Sequence, residues 1–153
     1  MGPQPYVERY VVQGGVFDAI GEASTQLKSV LKMLGIPSDI TRRATVVAYE
    51  AEMNLVIHAG GGEITASVFP DRLELFVRDE GPGIPDIALA MKEGYSTATD
   101  EIREMGFGAG MGLPNMKRNS DSLDVRSEVG KGTSLFAVIR FPSDPVQQPV
   151  KEG

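Results

Sequence analysis

Asp79-Glu80-Gly81-Pro82-Gly83-Ile84 and, further on, Gly106-Phe107-Gly108-Ala109-Gly110-Met111-Gly112 bracket the stretch whose reading decides the fold. An acidic residue ends a strand, and two glycine-rich turns follow. Glycine takes positive φ freely and lets another group approach the main chain. Glycines at this density therefore place backbone against something. The last of them runs into Leu113-Pro114-Asn115-Met116-Lys117-Arg118, which reads as a helix. Amides at a helix N-terminus attract phosphate. The pattern predicts a nucleotide site, with Asp79 at one end and phosphates at the other.

Outward from this stretch, the chain falls into hairpins and helices. Residues 63–69 alternate in part and residues 72–79 alternate well, with Pro70-Asp71 as a turn between them. They form a hairpin, and Asp79 lies at its far end. On the C-terminal side, 123–128 and 133–141 are strands joined by Val129-Gly130-Lys131-Gly132. Residues 6–12 are a first strand. Residues 16–34 have helical spacing, closed by Gly35 and Pro37. Ser38 is a suitable N-cap for the next helix, 39–59. A short helix covers 87–91, and the polar segment 92–105 between the two glycine turns is a natural lid. Strands come in hairpins and do not alternate with helices. The fold class is α+β, a two-layer sandwich of a mixed β-sheet with helices on one face.

The helix at 39–59 carries the chemistry. Ile40, Ala44, Val47, Ala48, Ala51 and Leu55 make one apolar stripe. Glu50 and Asn54 are four apart, neighbours on one face at the margin of that stripe. Spacing alone leaves two readings open: a carboxylate and an amide lining a cleft, or two solvated polar residues. His58 follows one turn later, and spacing places it as a packed histidine in the stripe.

Composition sets bounds. The chain has 153 residues, 41% of them apolar, enough for one domain with a core. Residues 1–5 are expected to be loose, 6–141 to form the single domain, and 142–153 to be a flexible tail. A net charge of −6 argues against a nucleic-acid surface. The absence of cysteine removes disulfides and thiolate metal sites and suits the cytoplasm. No apolar run is long enough to span a membrane, and Met1-Gly2-Pro3-Gln4-Pro5-Tyr6 fits neither a signal peptide nor the myristoylation pattern. Gly130-Lys131-Gly132-Thr133 has a glycine between Lys and Thr and so is not a Walker loop. No dinucleotide fingerprint or eukaryotic-type kinase signature is present.

Taken together, Glu50-x-x-x-Asn54, Asp79-x-Gly81-x-Gly83, Gly108-x-Gly110-x-Gly112 and Gly130-x-Gly132-Thr133 resemble the Bergerat ATP-binding fold of the GHKL superfamily. Within it, 79–86, 94–97, 112–118 and 127–133 are similar to the bacterial anti-sigma-factor serine kinases and related stress-switch kinases. The resemblance covers about 41–141, with four boxes in order. It implies the following roles. Asp79 would bond the adenine amino group, with Gly81, Gly83 and Ile84 shaping the pocket and Thr133 joining through water. Asn54 would coordinate Mg²⁺. Gly108, Gly110, Met111, Gly112 and Leu113 would wrap the triphosphate of ATP. Glu50 would be the general base toward a partner's hydroxyl. The family's Arg before the final glycines has Arg103 nearby here, but at a longer spacing, and its role is not carried over.

The resemblance also implies partners. The substrate would be a small STAS-domain protein, released on phosphorylation, with a sigma factor or other regulator as the second partner. Family members often form homodimers. Two other functions share the fold: a nucleotide-gated binding module without transfer, and the ATP-binding domain of a histidine kinase. The retained Glu50 favours the kinase, because binding alone needs no base.

Overall fold

The structure, a computed structural model, describes residues 4–92 and 112–142. The outer parts of the expected loose ends, the lid from residue 93 onward, Arg103, Gly106, Gly108, Gly110 and Met111 lie outside the described residues.

Strand β1 (Tyr6–Gln13) leads through a short 3₁₀ turn (Phe17–Ala19) into α1 (Glu22–Met33) and α2 (Ser38–Ile57). The hairpin β2 (Gly61–Val68) and β3 (Arg72–Arg78) follows, then α3 (Ile87–Ala90), α4 (Gly112–Arg118), β4 (Ser122–Glu128) and β5 (Gly132–Arg140). The single helix expected over 16–34 is broken, because Gly21 takes φ 104° and starts α1 afresh. Ser38 is the first helical residue of α2. Pro37 is the N-cap, and its carbonyl accepts the Thr41 amide at 3.0 Å.

The α+β class and the two layers are as expected. The sheet is antiparallel at every pairing among the described strands, where a mixed sheet was expected. Its order is β1-β2-β3-β5-β4. The reason is topological. The connection through α3 and α4 returns the chain so that β4 runs in the same direction as β3. Side by side the two would pair in parallel. The last strand, β5, slides between them and is antiparallel to both. This insertion puts β5 against Asp79 and so builds the site.

Helices cover one face. The stripe on α2 is buried throughout, with Ala44 and Ala51 at 0% exposure, and it meets Leu27 and Leu31 of α1 and Met116 of α4. Ile64, Leu73, Leu75, Leu135 and Ile139 rise from the sheet to meet it. His58 departs from expectation. It is exposed at the C-cap of α2, where its amide still bonds Asn54 O at 2.9 Å but its φ of −111° turns it off the stripe.

A buried carboxylate joins the two long helices. Glu52 is 2% exposed and accepts the Ala23 amide at 3.0 Å and the Ser24 amide at 3.2 Å. Helix α1 begins after a glycine with no side chain to cap it, so Glu52 supplies the cap from α2. Glu52→Ala leaves two amides without acceptors and is expected to cost about 2–4 kcal/mol in urea unfolding. Wild-type stability in this variant would show that the cap is dispensable.

Candidate active site

Two polar groups meet where α2 passes the start of α4. Glu50 is about half-buried, and its Oε1 accepts the Asn115 Nδ2–H of α4 at 3.1 Å. Burial pushes the Glu50 pKa up, and the bond from Asn115 partly offsets this by favouring the charged form. Asn54 stands one turn along α2, and its carboxamide bonds no side chain among the described residues. Gly112 opens α4 directly in front of both. A Cβ there would lie 3.4 Å from Asn54 Oδ1 and 3.5 Å from Glu50 Oε2. The glycine thus leaves a small space bounded by two side-chain oxygens. Glu50 and Asn54 thus both face the start of α4.

The second half of the site is the end of β3. Asp79 Oδ1 accepts the Gly81 amide at 2.9 Å and the Thr133 amide at 3.1 Å, and the Asp79 amide donates to Thr133 O at 3.0 Å. One carboxylate oxygen is thereby held by two backbone donors. Its other oxygen bonds nothing among the described residues. The 81–84 turn is fastened to the β4–β5 hairpin by Gly130 N–H to Pro82 O at 2.9 Å and Ile84 N–H to Ser127 Oγ at 2.7 Å. An open cavity of about 310 Å³ adjoins Asp79, Ser127 and Thr133, with Arg78, Arg126, Glu128 and Ser134 of the exposed sheet face also in its wall; Gly81, Gly83 and Ile84 do not line it.

The glycines in this turn serve packing. A Cβ at Gly81 would meet Ala59 O at 2.8 Å, and one at Gly83, where φ is +82°, would meet Glu128 O at 2.5 Å. The turn is wedged between the end of α2 and the end of β4. Ala59 also donates its amide to Asn54 O at 3.2 Å, so Asn54, Ala59 and Gly81 connect the two halves of the site through the last turn of α2.

Of the residues singled out from the sequence, Glu50, Asn54 and Gly112 come together at α2 and α4. Asp79, Gly81, Gly83, Ile84 and Thr133 come together at the sheet end. The Leu113 side chain is buried in the core at 6% exposure. Gly108, Gly110 and Met111 are outside the described residues. Sequence reasoning missed Asn115, Ser127 and Glu52. Asn115 lies three residues after Gly112 on one helical face, a signal that was available. Ser127 gave no such signal, because its link to the 81–84 turn is made by Ile84, distant in the chain.

The raised Glu50 pKa gives a pH prediction. A base works in its deprotonated form, so a raised pKa moves the acid limb of any Glu50-dependent rate to higher pH than for an ordinary glutamate. Asn115→Leu removes the bond that favours the charged form and is expected to move that limb higher still. A limb unchanged in a kcat–pH profile would remove Asn115 from the environment of Glu50.

A glycine-wedged Asp turn at the sheet end and an acid–amide pair on the adjoining helix make up the candidate site. The model for histidine kinase-, DNA gyrase B- and HSP90-like ATPases matches residues 40–145, and the chain belongs to that family. It is 36% identical over 121 residues to the serine/threonine-protein kinase RsbT of Bacillus subtilis, covering 76% of this chain and 85% of that one. It is 36% identical over 104 residues to the anti-sigma F factor of Geobacillus stearothermophilus, covering 64% of this chain and 67% of that one. The corresponding Caldanaerobacter subterraneus protein is 38% identical over 89 residues, covering 55% of this chain and 59% of that one. Among solved structures, a mycobacterial sensor histidine kinase, MprB, superposes with a TM-score of 0.52 at 17% identity, covering 89% of this chain and 98% of that one. That likeness concerns the fold.

Proposed function

We propose that this protein is an ATP-dependent serine/threonine protein kinase of a bacterial partner-switching pathway, and that its acceptor is a hydroxyl on a small STAS-domain protein. The observation that carries this reading is the Glu50 carboxylate, half-buried and beside Asn54 in front of Gly112. Identity to a serine/threonine kinase over most of both chains supports it. Glu50 accepts the proton of the attacking hydroxyl as the oxygen bonds the γ-phosphorus and the bond to ADP breaks. Phosphoryl transfer asks for little beyond positioning and charge neutralisation.

Asp79 presents its free oxygen to the amino group of adenine, with Gly81, Gly83, Ile84 and Thr133 around the base. Gly108, Gly110, Met111, Gly112 and Leu113 supply main chain to the triphosphate. The residues present fit Mg²⁺. Asn54 Oδ1 and the Glu50 carboxylate are hard oxygens facing a space that a Cβ at Gly112 would fill. Mg²⁺ needs only one or two protein oxygens when water and phosphate complete its shell. Asn54 would hold the ion, which when bound neutralises phosphate charge.

Phosphorylation adds roughly two negative charges to the acceptor's docking surface and releases it. The second partner is a sigma factor or another regulator. We place it in the cytoplasm; among the described residues, no helix is long and apolar enough to cross a membrane.

The test is transfer of label from γ-labelled ATP with Mg²⁺ into small proteins of the source lysate. A labelled Ser or Thr on a small regulator, lost in Glu50→Gln, is expected. The likeness to anti-sigma F factors favours a second reading, a nucleotide-gated binding module. Tight ATP binding with no labelled protein would select it.

Asp79→Asn probes the base end. The variant keeps an oxygen for the Gly81 and Thr133 amides but loses the charge opposite the adenine amino group. ATP affinity by calorimetry is expected to fall by about 1.5–3 kcal/mol. Full affinity would place the base elsewhere.

A further inference from the structure

Ser127 opens the 127–133 stretch but has no role in the site so far, yet its hydroxyl sits at the junction of the whole base end. Three groups reach Ser127 Oγ: the Ile84 amide at 2.7 Å, the Gly132 carbonyl at 3.2 Å and Thr133 Oγ1 at 2.7 Å. A serine hydroxyl has one proton and two lone pairs. The Ile84 N–H can only donate and the Gly132 carbonyl can only accept. Ser127 therefore accepts from Ile84 and gives its own proton to Gly132. The bond to Thr133 is then satisfied in one way, with Thr133 donating. This arrangement fills the valence of Ser127 completely and consumes the only hydroxyl proton of Thr133.

Thr133 is consequently left with lone pairs alone to offer a ligand. Its neighbour Asp79, bonded to the Thr133 amide through Oδ1, is likewise an acceptor at its other oxygen. Two acceptors side by side suit a donor edge, such as an exocyclic amino group or a water that it orients. They repel a keto oxygen at the same position. Asp79 alone supplies one such acceptor, and Ser127 determines whether Thr133 adds a second or turns into a donor.

We propose that Ser127 is a specificity-determining positioning residue of the purine pocket: its hydroxyl locks Thr133 as a hydrogen-bond acceptor, so that the site takes 6-amino purines and rejects 6-keto purines. The proposal rests on the adenine pocket assigned above to Asp79 and Thr133. The same hydroxyl holds the Ile84 amide, so the turn that shapes the pocket and the residue that reads it share one anchor.

The test compares the affinities of ATP and inosine triphosphate, which carries a keto oxygen at position 6, in the full chain. In Ser127→Ala the Thr133 proton is released and can point at the ligand. The ratio of ATP to inosine triphosphate affinity is then expected to narrow by about tenfold. Ser127→Thr keeps a hydroxyl on the strand and should restore the wild-type ratio. A structural role alone would lower both affinities together and leave the ratio unmoved. Should Ser127→Ala fail to fold, Thr133→Val reads the relay from its other end: loss of the acceptor narrows the ratio, and an unchanged ratio counts against the proposal. An unchanged ratio in Ser127→Ala, with Asp79→Asn still weakening ATP, overturns the role of Ser127 and spares the pocket. ATP affinity that survives Asp79→Asn overturns the pocket itself, and the proposal with it.

Discussion

Glu50→Gln is expected to leave ATP bound and to lower phosphoryl transfer by about 10²–10⁴-fold, the usual contribution of a positioned general base. The substitution is nearly isosteric. Glutamine keeps one side-chain oxygen for the Asn115 Nδ2–H, which Glu50 Oε1 accepts at 3.1 Å, so α2 and α4 remain joined. What it removes is the ability to take a proton. The environment makes that loss specific. Partial burial has already raised the pKa of this carboxylate, the direction that suits a base. The measurement is a single-turnover transfer rate with ATP saturating, alongside ATP affinity by calorimetry. Transfer at the wild-type rate would remove Glu50 as the base. A parallel loss of ATP affinity would reassign it to binding.

Asn54→Ala carries the second large effect. Asn54 Oδ1 faces the space in front of Gly112, and no other side chain among the described residues bonds that carboxamide. Its absence would leave the ion with water and phosphate alone. Loss of groups that merely orient a ligand costs 10–100-fold in metal affinity, so loss of the ligand itself should cost at least about a hundredfold in Mg²⁺-dependent ATP binding. Chelation of Mg²⁺ should weaken wild-type binding to the same level and leave Asn54→Ala unaffected. Asn54→Asp, which keeps an oxygen in place, should retain most of the affinity. If Asn54→Ala responded to Mg²⁺ as the wild type does, the ion would lie elsewhere.

Both predictions concern residues visible in the sequence, and the reason is local. Residues four apart on a helix share a face whatever the fold, so Glu50 and Asn54 were paired by spacing alone. The same holds for the buried stripe of α2 and for the β2–β3 hairpin, whose turn residues and alternation are short-range properties. The Asp79-x-Gly81-x-Gly83 turn was equally legible as a place of close approach. What it approaches was not: Gly81 is pressed on Ala59 and Gly83 on Glu128, so both glycines serve the protein's own backbone.

Errors fell where distant segments decide. Spacing put His58 in the stripe, but α2 ends before it. Periodicity ran through residue 21, but a glycine in the left-handed region restarted the helix there. Glu52 went unremarked, because its partners are amides of α1 reached only when the two helices pack.

The sequence by itself determined the elements, the apolar faces that drive them together, and the residue types of an ATP site. Those follow from periodicity, turn chemistry and glycine's conformational freedom, which act over a few residues. Only the tertiary structure decided the antiparallel sheet, because β5 lies between β3 and β4 and pairs antiparallel with both. The same insertion brought Thr133 to Asp79 and Ser127 to Ile84. Hydrogen bonds between segments so far apart in the chain depend on strand order and register, and no local pattern encodes either.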